Sequence, residues 1–482
     1  MKRTLKQTLL ILICVTFLFF LIKIINSRFV SQGAYEKYYD FYCTDFQNYD
    51  VLFLGSSRME LAISPIELWK YSGIMSYNLS NYGQQLPVNY WVLVDALTRT
   101  TPQLVVIDTS FVSSDEKEGG ANVNHECLDL VPLSINKVNA INDIFPREER
   151  FEYYFNFPYY HSRWSEVTSE FWNEHRSYQK GGNIFCDHNV DEVVFCEQSP
   201  YQLPDISERI LTDTVNKEYL RKMINLCKGK NINVLLINCP SYRGIEQQRW
   251  FDSVNDIAQE YDVTYMDFNR MKTDLDPLTD YRDEGHLDNS GARKFTKLLG
   301  DILINDFNVD CEHTGEEIAL WKDDYSKYLD FKISKISNIK SLPTYLMTLN
   351  DEDFDIIIEA NSIDSLKNAQ VINMLKNLGL NNPPQEKSFI VIDGGSIASF
   401  FSSEEDSVSF DTPIGVFQKS NIDDTSAEYG IFLDNKLLYP VGKESSNNEV
   451  TRITILDAST HDILDYKAFS YEETNMMNAY GN

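Results

Sequence analysis

A chain of 482 residues is too long for one ordinary core, so two folded domains with appendages are expected. The composition is globular, at 43% hydrophobic, 13% aromatic and 24% charged residues, with no low-complexity tract to suggest disorder. A net charge of −29 argues against nucleic acid, whose binding depends on neutralising phosphates with Lys and Arg, and by itself names no partner.

Lys2, Arg3 and Lys6 precede Thr8 to Ile22, a run without a charged residue that Ile24 and Ile25 extend past Lys23. This approaches the roughly 20 residues a membrane-spanning helix needs, with Lys23 able to snorkel. Basic residues before the run and an acidic chain after it predict a cytoplasmic N-terminus and an extracellular remainder. No small-x-small site follows at Asn26 to Phe29, so an uncleaved transmembrane anchor over 1–27 is favoured over a signal peptide. Residues 28–49, rich in Tyr, Phe and Gln, are expected to form a stalk.

From Asp50 onward short apolar runs alternate with helical patterns, the signature of an α/β domain with a parallel sheet. The candidate strands are Val51–Leu54, Ser76–Leu79, Leu104–Asp108, Asn233–Asn238 and Thr264–Asp267. Ser64-Pro65-Ile66-Glu67 is a capping-box start with proline at the first helical position, and Gly73 is a plausible stop. Residues 112–205 break the rhythm with an aromatic segment, Phe151 to Trp172, expected as an insertion over the edge where strands end and ligands bind. Asp288 or Asn289 is expected to cap a helix with Phe295, Leu298, Leu299 and Ile302 on one face. A charged connector over 306–344 leads to a smaller α+β domain, 345–482. That domain has strands at Phe354–Glu359, Phe389–Ile392 and Ile453–Asp457 and a helix at Ser365–Leu378 stopped by Gly379.

The eight cysteines are scattered, with no Cys-x-x-Cys and no His at zinc-ligand spacing, so no structural metal site is expected. Cys14 lies in the apolar run, Cys186 and Cys196 are a candidate pair across a short loop, and the rest read as buried small hydrophobes.

Phe53-Leu54-Gly55-Ser56-Ser57-Arg58-Met59 places a serine just past the end of the first strand, where Gly55 permits a tight turn. A serine hydroxyl needs a neighbouring base to act as a nucleophile. Asp283-Glu284-Gly285-His286-Leu287 offers one, because three-residue spacing lets Asp283 bond one imidazole nitrogen and leaves the other for the serine. Asp280 and Glu284 compete for that carboxylate role, but the spacing favours Asp283. Each motif alone is more often a turn or a solvated surface than a catalytic group.

Together, in this order and context, residues 50 to about 304 resemble the SGNH/GDSL hydrolase superfamily. The resemblance implies a flavodoxin-like three-layer α/β/α fold over 50–305, with Gly55-Ser56-Ser57 matching the family's Gly-Asp-Ser and Ser57 as nucleophile. Asn78-Leu79-Ser80-Asn81-Tyr82-Gly83 looks like the second block, with Gly83 an oxyanion donor beside the backbone of Ser57. Asp283, His286 and Ser290-Gly291-Ala292 match the last block. The third block departs, since Leu104-Val105-Val106-Ile107-Asp108-Thr109-Ser110 lacks the family's Asn, leaving Thr109, Ser110 or an insertion residue to replace it.

With the anchor, this variant is similar to the envelope acyl-transfer branch, which includes the D-alanine transfer protein of teichoic acid and polysaccharide O-acetyltransferases. That similarity implies a membrane-bound O-acyltransferase as partner, a cell-surface polysaccharide or teichoic-acid-like acceptor, and no cofactor. An esterase that removes acetyl groups, or a catalytically inactive glycan-binding partner of the membrane enzyme, are the alternatives. Arg58 is a candidate to hold an anionic or carbonyl group, or a solvated helix start. Tyr160, His161, Arg163 and Trp164 are candidates to stack and bond sugars, or packing of the insertion. His125, His175, His188, His313 and His461 show no partner pattern and read as surface or packing. Residues 345 to about 475 resemble the interleukin-like EMT inducer domain, some members of which bind carbohydrate, through Leu375–Leu380, Phe389–Gly395 and Arg452–Asp457; a spacer or dimerising role is the alternative.

Overall fold

The computed structural model describes residues 2–27, 32–44, 46–160, 178–182, 203–242, 244–360, 366–380, 387–394, 396–402, 407–422, 429–442 and 450–470. These form two compact units. One draws on the residues up to 182, 203–273 and Phe295–Tyr328; the other on Asp274–Lys294 and the residues from Leu329 on.

In chain order the first unit opens with α1 (Lys2–Ser27), α2 (Gln32–Tyr42), β1 (Val51–Leu54), α3 (Ser57–Ala62), α4 (Pro65–Ser72), β2 (Ser76–Asn78), α5 (Leu86–Ala96) and β3 (Leu104–Asp108). It continues with α6 (Ala121–Leu128), α7 (Ile135–Ile144), α8 (Arg150–Tyr154), α9 (Phe157–Tyr160), α10 (Val215–Lys228), β4 (Asn233–Asn238), α11 (Ile245–Asp252), α12 (Val254–Glu260) and β5 (Thr264–Asp267). Five strands form one parallel sheet in the order β2-β1-β3-β4-β5. Every residue of β1 and β3 is buried, as a parallel sheet covered by helices on both faces requires. The order runs outward one way from β1 to β2 and the other way through β3. That reversal opens a crevice beyond the C-terminal ends of β1 and β3, where such sheets bind ligands. The strands fall where the sequence places them, β2 one residue short.

The local signals also hold around α4. Ser64 Oγ accepts the Glu67 N–H at 3.4 Å, Pro65 starts the helix, and Gly73 ends it at φ +80. The Glu67 carboxylate does not close the box; its Oε1 accepts the Tyr328 hydroxyl at 2.9 Å.

Two expectations are corrected and a third is made specific. Residues 28–49 are not a stalk: α2 buries Tyr38, Phe41 and Tyr42, Lys37 pairs with Glu60, and the Tyr77 hydroxyl donates to the Lys37 carbonyl at 2.7 Å. Amphipathic aromatic spacing outweighed the polar composition that suggested a stalk. The connector is largely helix, α13 (Asn289–Asn305) being followed by α14 (Gly315–Ser337), whose Trp321 is buried against Trp69 at 5.8 Å between ring centroids. The domain expected over 50–305 is not continuous, because Asp274–Lys294 belong to the second unit. Of the cysteines, Cys127, Cys227 and Cys239 are buried, whereas Cys43 is exposed; Cys186 and Cys196 lie outside the described residues.

Helix α1 covers the apolar run, with exposed side chains at every position from Leu9 to Ile13 and again at Val15, Phe17 and Leu18. Its side chains are described only at 6–18 and 21, and among the described residues no helix is long and apolar enough to cross a membrane.

The second unit contains β6 (Tyr281–Asp283) and β7 (His286–Leu287), the start of α13, the end of α14, and then α15 (Leu342–Met347), β8 (Phe354–Ala360), α16 (Ala369–Asn377) and β9 (Ser388–Asp393). It ends with β10 (Ser396–Ser402), β11 (Val408–Thr412), β12 (Gly415–Asn421), β13 (Tyr429–Leu433), β14 (Lys436–Gly442), β15 (Val450–Asp457) and β16 (Ile463–Ser470). Two antiparallel sheets, β10-β9-β8-β15-β16 and β11-β12-β13-β14, share a core of Ile357, Val391, Phe417, Ile431 and Leu456. Glu359 is buried in this unit and paired with Arg452 at 3.1 Å and Lys419 at 3.4 Å. The three expected strands are β8, β9 and β15; β10 to β14 and β16 have no counterpart in the sequence reading.

If α2 is core rather than stalk, Phe41→Ala lowers the stability of the first unit by about 3–5 kcal/mol in urea unfolding. An unchanged midpoint would restore the stalk.

Candidate active site

The serine turn is built from the ends of β1 and β3, with Asn89 of α5 against it. Ser57 is the first residue of α3 and is half-buried, while Ser56 before it is buried and caps the helix, its Oγ accepting the Arg58 N–H at 3.3 Å. Asp108 at the end of β3 holds that cap. Its Oδ2 accepts the Ser110 hydroxyl at 2.6 Å and the Ser56 hydroxyl at 3.2 Å, and the two serine oxygens lie 2.6 Å apart. Gly55 is obligatory here, because a Cβ would stand 2.6 Å from the Asp108 Cβ. From the other side the Asn89 amide donates to the Gly55 carbonyl at 3.2 Å. Of the adjacent serines, Ser56 is therefore committed to structure and Ser57 is the one presented at the helix N-terminus, where amide N–H groups favour developing negative charge.

His286, the candidate base, stands on a short hairpin of the second unit. Antiparallel β6 and β7 bring Asp283 opposite His286, and Asp283 lies 2.8 and 2.9 Å through its two oxygens from His286 Nδ1. The Gly285 N–H also donates to Asp283, at 2.7 Å. Burial pushes the Asp283 carboxyl up, but the hydrogen bond and charge of His286, the Gly285 N–H and Arg282 outweigh it, leaving the group below its ordinary value. Asp280, the competing carboxylate, is wholly buried and occupied by Lys294 Nζ at 2.8 Å and the Ser290 hydroxyl at 2.8 Å. Asp283, not Asp280, is the carboxylate bonded to the imidazole.

The remaining expected residues divide. Gly83 sits at φ +65 in a turn closed by the Gln84 N–H on the Asn81 carbonyl at 3.1 Å, a conformation that favours glycine. Thr109 does not fit an oxyanion role, since its N–H and its hydroxyl both donate to the Ile237 carbonyl, at 2.9 and 3.0 Å. Arg58 does not reach outward. It is 2% exposed, donates to the Cys239 carbonyl and to Ser241 Oγ at 3.0 Å, and lies over the Phe251 ring at 5.2 Å. Tyr160 is also buried, packed at 5.7 Å from His125, so it forms no open sugar platform. His161, Arg163 and Trp164 lie outside the described residues. Among the histidines assigned to surface or packing, His125 is buried beside Asp129 at 3.2 Å, stacked on Tyr153 and Tyr159. His313 is buried beside Asp50 at 3.0 Å and His461 lies 3.2 Å from Asp355, whereas His175 and His188 lie outside the described residues.

Sequence reasoning missed Asp108, Ser110 and Asn89 as the frame of the serine turn. An acidic residue ending a buried parallel strand was a usable signal for Asp108; nothing local pointed to Asn89, 34 residues from the glycine it clamps.

Gly55→Ala is expected to cost about 1–3 kcal/mol, read by thermal unfolding, because Asp108 backbone and side chain must move. For Asp283, a depressed folded value means a contribution that is present above the ordinary carboxylate range and lost as pH falls through the folded value. Asp283→Asn should therefore lower stability at neutral pH, with the deficit vanishing in strongly acidic buffer; a deficit independent of pH would contradict the assignment. Among known proteins, a family model for an uncharacterised domain matches residues 202–308, which hold β4, β5, the Asp283–His286 pair and α13. No curated protein matches the chain.

Proposed function

We propose that the protein is a membrane-anchored, extracytoplasmic serine acyl-ester enzyme of the SGNH type, acting on acyl groups, foremost acetyl, of cell-surface polysaccharide. The observation that carries this reading is the Asp283–His286 pair, with both carboxylate oxygens on Nδ1, in a chain that also presents Ser57 at the end of the first parallel strand. Strand order 2-1-3-4-5 supports the flavodoxin-like three-layer assignment.

In the proposed reaction Ser57 Oγ attacks the acyl carbon while His286 Nε2 takes its proton and passes it to the departing alcohol. The resulting acyl-serine is then attacked by an acceptor hydroxyl, which His286 deprotonates. Charge on the acyl oxygen falls to the N–H groups of Ser57 and Gly83. With a sugar hydroxyl as acceptor this is O-acyl transfer; with water it is ester hydrolysis. Transfer is favoured by the anchor: α1 exposes apolar side chains at five consecutive positions, hence on every face, as a lipid-facing helix would. A membrane-bound O-acyltransferase would supply the acyl group, and a polysaccharide or teichoic-acid-like chain would receive it. Carbohydrate binding by the antiparallel C-terminal sheets is part of the same reading.

The second reading, a catalytically inactive partner of the membrane enzyme, is favoured by one observation. The end of β3 lacks the amide donor of the family, and the donors of Thr109 are spent on Ile237. Ser57→Ala and His286→Ala, tested in cells for glycan-bound acyl esters and in detergent-solubilised protein for acetyl-ester turnover, separate the readings. Loss of at least about 10³-fold in both variants is expected for a triad. Unchanged acylation with both would leave only the partner role, and turnover of simple esters at high rate would make the protein an esterase.

A further inference from the structure

The hairpin that carries His286 is closed at its base by Asp280. The Asp288 N–H donates to the Asp280 carbonyl at 3.1 Å, and the side chain of Asp288 accepts the Gly291 N–H at 2.9 Å. Gly291 has no room for a Cβ, which would stand 2.0 Å from the Asp280 carbonyl oxygen. The buried Asp280 carboxylate accepts from Ser290 Oγ, from the Asp276 N–H at 2.7 Å and from Lys294 Nζ at 3.0 and 2.8 Å.

What completes this knot comes from far along the chain. Asn377, the last residue of α16, donates to Ser290 Oγ at 2.8 Å and accepts the remaining Lys294 proton at 2.6 Å. Asn350, just before β8, donates to the same serine oxygen at 3.2 Å. Ser290 thus gives its proton to Asp280 and receives two, and Lys294 places all three of its protons, so both groups are saturated. Arg293 ties the same turn of α13 to the Thr348 carbonyl at 2.9 Å and to Asp351 at 3.1 Å.

We infer that Asn377, with Asn350, is a positioning residue for the base. The C-terminal domain holds the Asp280–Ser290–Lys294 knot, and the knot fixes the hairpin on which Asp283 orients His286. The consequence for catalysis rests on the acyl chemistry proposed above; the hold on the hairpin does not. The domain is then part of the catalytic machinery as well as any binding module, and a glycan or protein that moved α16 would change the rate at Ser57.

The full chain in detergent carries the test, with Asn377→Ala and Ser290→Ala singly and together. Each change removes more than one hydrogen bond of the knot, and a net loss of about 1.4 kcal/mol should raise amide exchange across 280–291 about tenfold, while exchange in β8 and β15 stays unchanged. Acetyl-ester kcat, and the rate at which a fluorophosphonate labels Ser57, should fall about tenfold with KM within about twofold, and the double variant should lose less than the product of the two single losses, because the two side chains share a bond. Unchanged exchange across 280–291 overturns the inference. So does faster exchange with undiminished kcat, which would make the contact merely structural. Absence of Ser57 labelling in the unmodified protein would instead sink the triad, while exchange still decides whether α16 holds the hairpin.

Discussion

A carboxylate removed from water draws the donors around it, and two such groups set the turns that carry Ser57 and His286. Asp108 at the end of β3 draws Ser110 and Ser56 onto one oxygen and so sets the cap of α3. Asp280 draws Ser290, Lys294 and the Asp276 N–H, and so sets the base of the His286 hairpin. Neither aspartate needs to touch a substrate for its position to matter. Each fixes a backbone turn from which a candidate side chain, Ser57 or His286, projects half-buried.

The same economy explains the glycines. Gly55 and Gly291 stand where a buried aspartate packs against the chain at 2.6 and 2.0 Å from any added Cβ. Their role is close approach, and the turn geometry follows from it. Gly83 differs, since its requirement is a left-handed backbone.

Both units bury charge, as Lys37 with Glu60 shows in the first. The parallel sheet of the first is apolar through β1 and through β3 as far as Ile107, and polar groups such as Asp108 stand at the strand ends. The antiparallel unit carries charge inside: Glu359 with Arg452 and Lys419, and Lys332 at 2.7 Å from Asp351. Buried pairs of this kind add little net stability but penalise alternative registers and packings.

The sequence by itself determined the elements whose signals are local. Period, capping and turn chemistry placed β1, β3, β4 and β5 and both ends of α4, and three-residue spacing singled out Asp283 for His286. Strands with mixed burial, such as β11 with every residue half-buried or exposed, left no such trace, and β10 to β14 and β16 went unseen. Tertiary structure alone decided the rest, because it turns on partners distant in the chain. Burial of Phe41 made a stalk into core, the Ile237 carbonyl consumed Thr109, and Cys239 and Ser241 turned Arg58 inward. The same holds for Asn377, whose bond to Ser290 spans 87 residues. A hydrogen-bonding side chain advertises its chemistry in the sequence, but which group saturates it is fixed only when the fold removes water from around it.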